Sequence, residues 1–228
     1  IIPFIIGIAI VIYNIIRMPR FNMKFISDIA YQVCIVLFVV VFLYYLRVTL
    51  KNMTSKKLLV VVDYQKDFVD GALGAPGTKE LEPIIVEKIE QYKKDNQDVI
   101  FTKDTHYTNY LTTREGKHLP VEHCIIDSEG HALYGKVADY EKDAKKVFNK
   151  TTFGSRELAK YISRSDYEEV EFCGLVSNIC VLSNIIMTQT FNEKVEIFVD
   201  LKATKGLSDE VDSTFKTYLQ NITVNIKE

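Results

Sequence analysis

The stretch "EVEFCGLVSNICVLSN" (169–184) decides the fold, because it carries a strand straight into a helix with a thiol at the junction. Val170, Phe172 and Leu175 supply the β-branched, aromatic and aliphatic residues of a strand, and "VLSNIIMTQTF" (181–191) places apolar residues at helical spacing. A strand apolar on both faces that hands over to a helix is the repeating unit of a helix-covered parallel sheet. The same pattern recurs along the chain. Strands are expected at "KLLVVVD" (57–63), "DVIFTKD" (98–104), "KKVFNK" (145–150), "KVEIFVD" (194–200) and "NITVNI" (221–226), with helices over 79–95, 155–164, 180–192 and 208–219. The expected fold is α/β, a six-stranded parallel sheet with helices on both faces, preceded by an apolar N-terminal segment.

In such a sheet, ligands bind beyond the carboxyl ends of the strands. Asp63 ends the first strand, Asp104 the second and Lys150 the third, while Cys180 follows the fourth. A single Asp at a strand end is more often a helix cap or a solvated terminus. Four reactive residues converging on one edge are better explained as a site. A cysteine in the first turn of a helix feels the positive end of the macrodipole, which is expected to lower its pKa. Unpaired N–H groups of the same turn can hold an oxyanion. Cys173 falls within a strand and reads as core, Cys34 lies in an apolar run, and Cys124 beside His123 reads equally as a ligand or a buried structural thiol. Cys180 is therefore the candidate nucleophile. Asp63, in a dry site, can accept its proton, and Lys150 can pair with both.

The connection from Thr105 to Asp143 contains all four histidines, and loops longer than about 12–15 residues are usually functional or disordered. Asp104 and His106 stand two apart, so an extended backbone points both side chains the same way. His123 can return to complete a facial metal set, with Glu115 as a further carboxylate. His118 and His131 are expected to be solvated loop histidines.

The chain has 228 residues, with 28 Lys+Arg against 30 Asp+Glu and a net charge of −2. That balance gives no basic stripe for nucleic acid. The four cysteines show no disulfide or zinc-ribbon spacing, which suits a reducing, cytoplasmic compartment. Residues 1–52 differ from the rest. "IIPFIIGIAIVIYNII" (1–16) and "AYQVCIVLFVVVFLYYL" (30–46) are nearly uncharged and flank the basic stretch 17–28. They read as membrane helices or as a spurious extension, and the second run has the length of a minimal span, roughly 17–25 residues. Positive charge on both sides of that run leaves it unoriented. Every candidate catalytic residue lies within 53–228, so the first segment is expected to supply membrane association and not chemistry.

The motifs together resemble the isochorismatase-like cysteine hydrolases, most closely their nicotinamidase branch. "VVVDYQKDFVDGALG" (60–74) is similar to the family's catalytic-Asp motif, "VFNKTTFGS" (147–155) to its catalytic-Lys segment, and "GLVSNICVLSN" (174–184) to its nucleophile motif. "KDTHYTNY" (103–110) with "REGKHLPVEHC" (114–124) resembles the metal-binding segment that plain isochorismatases lack. The resemblance implies a three-layer, Rossmann-like fold with Asp63, Lys150 and Cys180 as the catalytic trio. It implies a divalent metal (zinc, with iron or manganese as alternatives) on Asp104, His106, His123 and Glu115. Phe68 and Phe153 would line the substrate ring. A cis peptide at Val176–Ser177 would aim backbone N–H groups, and those of Cys180 and the Val181 side would form the oxyanion hole.

The activity implied is hydrolysis of nicotinamide to nicotinate and ammonia in NAD salvage, by a homo-oligomer acting on a small carboxamide. The alternatives are another small amide, a carbamoyl compound or isochorismate as substrate, or a membrane-tethered protein that binds without turnover. An intact trio argues against the last. "VDLKATKGLSD" (199–209) departs from the family pattern, which has small residues where Lys202 and Lys205 stand.

Overall fold

The computed structural model describes residues 24–53 and 56–228. The chain divides into two compact units, 1–54 and 55–228. In the first, helix α1 (Lys24–Met53) is described, with exposed apolar side chains along Ile35–Leu46. Among the described residues no helix is long and apolar enough to cross a membrane. The run expected to span a membrane, 30–46, lies only partly within the residues whose side chains are described. The apolar run 1–16 lies outside the described residues.

The second unit begins with β1 (Lys57–Val62), the short helix α2 (Lys66–Val69), α3 (Leu81–Lys94) and β2 (Asp98–Asp104). The long connection that follows holds α4 (Arg114–His118) and several 3₁₀ turns. Then come β3 (Lys146–Lys150), α5 (Arg156–Ser163), β4 (Glu169–Leu175), a π-turn (Ser177–Val181), α6 (Leu182–Phe191), β5 (Glu196–Lys205), α7 (Asp209–Asn221) and β6 (Asn225–Lys227). All six strands are parallel, in the order β3-β2-β1-β4-β5-β6.

Alternation along β1 explains the three layers. Leu58, Val60 and Val62 face one core, with Leu158, Ile162, Ile185, Phe215 and Leu219 from α5, α6 and α7. Leu59 and Val61 face the other, with Leu81, Ile85 and Ile89 from α3. Successive side chains of a strand point to opposite faces, so a central strand must be apolar throughout. Burying each such side chain contributes about 1.5–3 kcal/mol.

Several element boundaries differ from the sequence reading. β5 runs on to Lys205, past the expected end at Asp200, because Gly174 and Leu175 of β4 pair with Thr204 and Lys205 across a register shift. β6 starts late, since α7 extends to Asn221 and the chain leaves it through Thr223 at φ 58°. The helix expected from Cys180 begins as α6 only at Leu182, after the π-turn.

The chain reverses its direction across the sheet between β1 and β4, the topological switch point where crevices open in such folds. Gly174 lets these two strands approach. It sits at φ +108°, and a Cβ there would lie 2.1 Å from the Val62 carbonyl oxygen. Gly174→Ala is accordingly expected to destabilise the protein by about 3 kcal/mol or more, read as a lower urea midpoint. An unchanged midpoint would show that the strands can part without cost.

Candidate active site

Asp63 and Cys180 follow the two strands that flank the switch point. Asp63 follows β1 at φ 46°, a left-handed conformation uncommon for a residue with a side chain. Its carboxylate is fully buried, accepting from Thr102 Oγ1 at 2.6 Å and facing Lys150 Nζ at 2.5 Å. Lys150, the last residue of β3, also lies 3.5 Å from Cys180 Sγ and 3.2 Å from Asp104 Oδ1. The ammonium thus touches the thiol and both carboxylates.

Electrostatics follow from burial. The Asp63 carboxyl is pushed up by desolvation and by Asp104, against the pull of Lys150. Burial alone would lower Lys150, but Asp63, Cys180 and Asp104 outweigh it and hold the lysine well above its usual value. Burial also pushes the Cys180 thiol well up, with Lys150 opposing and a hydrogen bond to Asp63 helping to keep its proton on. The expectation that the helix dipole lowers this pKa is corrected. The thiol is buried beside two carboxylates and precedes the α-helix, so desolvation dominates. Asp63, hydrogen-bonded to this thiol, stands in place as its candidate proton acceptor.

The metal candidates converge as the sequence spacing suggests. Asp104, His106, Glu115 and His123 each offer an atom, all within 4.8 Å of one another. Asp104 Oδ2 lies 2.9 Å from His106 Nε2 and 3.4 Å from His123 Nε2, and Glu115 Oε1 lies 3.6 Å from each. Nδ1–H of His123 donates to the Val121 carbonyl at 2.8 Å, which leaves the Nε2 lone pair of the neutral ring aimed at the cluster. His106 Nε2 is buried without a well-aligned hydrogen-bond partner. Two imidazole nitrogens and two carboxylates converging in this way fit a divalent cation. Asp104 is held well below the usual carboxylate range, where burial would raise it, by Lys150 and the two histidines.

The long connection is well folded. His106 N–H donates to Cys124 O and Ile126 N–H to His106 O, stitching the 123–126 segment onto the end of β2. Tyr110, fully buried, packs against the imidazoles of His106 and His123 at 4.6 and 5.0 Å between ring centroids. His131 is buried rather than solvated, since its ring nitrogen meets Thr105 Oγ1 at 2.9 Å. His118 is exposed. Cys124 is buried, its N–H donating to Asp67, and it stands outside the ligand group. Cys173 is fully buried in the core.

Phe68 is buried edge-on to His123, with centroids 5.6 Å apart, while Phe153 is about two-fifths exposed. Phe153 lines a cleft of about 550 Å³ with His106, Glu115, Leu119 and Ile179. The cis peptide lies at Leu175–Val176, one bond earlier than expected, where β4 ends. Val176 O accepts from both Ile179 and Val181 N–H. The Val181 N–H expected in an oxyanion hole is therefore engaged within the turn. Ser177 is fully buried, and its hydroxyl donates away from the trio to Asp212 at 2.9 Å.

One residue was missed. Gln65, fully buried, accepts from Asp104 N–H at 2.7 Å and donates to Asp104 O and His131 O at 2.9 and 3.0 Å. It ties the end of β2 to the end of β1. The Asp-x-Gln spacing was its only signal in the sequence.

The isochorismatase domain matches the chain over residues 57–226. The chain belongs to the isochorismatase family. It is 23% identical over 215 residues to a nicotinamidase of Saccharomyces cerevisiae, covering 75% of this chain and 98% of that protein. Among solved structures, a pyrazinamidase/nicotinamidase from Streptococcus mutans is 26% identical with a TM-score of 0.69, covering 75% of this chain and all of that one. A pyrazinamidase of Pyrococcus horikoshii in complex with zinc has a TM-score of 0.67 at 24% identity, over 76% of this chain and 99% of that chain. Within the isochorismatase family, this member combines the Asp–Lys–Cys trio with a four-residue candidate metal cluster.

Proposed function

We propose that this isochorismatase-family chain is a metal-dependent amidase that hydrolyses nicotinamide to nicotinate and ammonia through a thioester on Cys180. The observation that carries the reading is the shared carboxylate of Asp104. One oxygen meets Lys150 of the trio and the other meets His106 and His123 of the metal cluster, so a ring anchored on the cluster has its carboxamide near the thiol. The names of the yeast and Streptococcus mutans relatives point to the same substrate class.

Asp104, His106, Glu115 and His123 would hold the cation, which when bound supplies a Lewis-acid anchor for a ring nitrogen or for a water that contacts it. Phe68 and Phe153 flank the ring. Asp63 takes the Cys180 proton as the sulfur attacks the carboxamide carbon, and the Cys180 N–H faces the developing oxyanion. Asp63 then gives that proton to the leaving nitrogen, and ammonia departs. Asp63 next accepts a proton from water as its oxygen attacks the thioester, and nicotinate leaves as the thiol is reprotonated. Lys150 keeps the buried charge balanced throughout, since an unpaired carboxylate there would be costly.

Ammonia release from a panel of small carboxamides tests the substrate, and nicotinamide should have the highest kcat/KM. A higher value for a non-pyridine amide would overturn the substrate assignment. His106→Ala and His123→Ala should each weaken metal binding by at least about 10-fold and raise KM more than they lower Tm. Elemental analysis measures the first effect directly. A metal-free preparation with full activity on nicotinamide would sink the metal's role.

A further inference from the structure

The lysines that break the family pattern at the end of β5 lead to a second polar cluster, behind the nucleophile turn. Lys205 Nζ lies 3.2 Å from Asp212 Oδ2 and 2.7 Å from Asp209 Oδ1. Asp212, in α7, uses its other oxygen to accept from Ser177 Oγ at 2.9 Å and from Gly206 N–H at 2.6 Å. Ser177 is fully buried and opens the π-turn that carries Cys180. The fit is close, since a Cβ on Gly206 would come within 2.6 Å of Ser177 Oγ and 2.7 Å of Asp212 Oδ1.

We propose that Asp212 is a positioning residue for the nucleophile, holding the Cys180 turn through Ser177 while Lys205 orients its carboxylate. This deepens the amidase reading and rests on it for the turnover measurements. The physical case is that the π-turn has few anchors of its own. Val176 O takes two N–H groups, and Asn184 Nδ2 donates to Cys180 O at 2.8 Å. The Ser177–Asp212 bond ties the first residue of the turn to a separate helix. A hydrogen bond to an ionised carboxylate is roughly twice as strong as a neutral one. Without it, a buried hydroxyl loses its partner and the turn can shift by tenths of an ångström. Attack geometry is sensitive on that scale, because a misplacement of about 1 Å can cost about 100-fold in rate.

Asp212→Ala is expected to lower kcat on nicotinamide by about 10-fold with KM changed less than about 2-fold, and Ser177→Ala to do the same. The double variant should be no worse than the poorer single one, as residues acting through one contact are non-additive. Asp212→Asn keeps an oxygen for both donors and should recover activity to within about 3-fold of the parent. Iodoacetamide labelling of Cys180, followed by peptide mass spectrometry, should slow in step with kcat. Labelling needs no amide, so a parent protein that alkylates at Cys180 yet hydrolyses no carboxamide counts against the nicotinamide reading alone. Wild-type kcat and labelling rate in Asp212→Ala would overturn the positioning role. So would losses that follow only the folded fraction, or additive single variants with no rescue by Asn.

Discussion

Cys180→Ala is expected to abolish turnover, by about 10⁴-fold or more, while folding survives. The substitution removes one sulfur at a residue only 5% exposed and leaves Lys150 paired with Asp63 and Asp104. Among the described residues, Cys180 is the thiol in contact with Lys150. Cys173 faces the core, and burial pushes its thiol and that of Cys124 above their usual range. Cys173→Ala should therefore keep near-parental kcat and lose about 1–2 kcal/mol of stability through lost packing. Steady-state kinetics beside thermal melts separate the two variants. Turnover in Cys180→Ala, or a dead Cys173→Ala of normal stability, would reassign the nucleophile.

Asp63→Asn carries the second large effect, a loss of about 10³-fold in kcat. The amide matches the carboxylate in shape and can still accept from Thr102, but it cannot take the thiol proton. Lys150 keeps Asp104 at 3.2 Å, so the buried ammonium retains a counter-charge and the fold should hold. A pH profile gives an independent readout. Asp63 must be unprotonated to act as base, and burial raises its pKa, so activity should fall with decreasing pH along a limb above the ordinary Asp value. A limb at or below that value, or an Asp63→Asn variant within about 10-fold of the parent, would show that another group takes the proton.

Much of this site was legible before the structure. Asp63, Asp104, Lys150 and Cys180 stand at strand ends, and a parallel sheet gathers its strand ends on one edge. Asp104 and His106 face the same way because extended backbone repeats every two residues, and the structure places both beside His123 and Glu115. The chain's local pattern was enough for that. The apolar runs 57–63 and 169–175 likewise indicated central strands, since only a sheet covered on both faces needs them.

What depends on three-dimensional surroundings was not legible. The rise in the Cys180 pKa comes from desolvation and from carboxylates distant in sequence, neither of which the local pattern shows. His131 is buried because Thr105, 26 residues away, offers it a partner. The extension of β5 to Lys205 follows from its pairing with Gly174 and Leu175 at the end of β4. The sequence by itself determined the sheet, its layers and the residue types on its active edge, because periodicity and spacing are local properties. Only the tertiary structure decided the direction of the pKa shifts and the ties of Gln65 to Asp104 and of Asp212 to Ser177, because burial and long-range hydrogen bonds exist only once distant segments pack together.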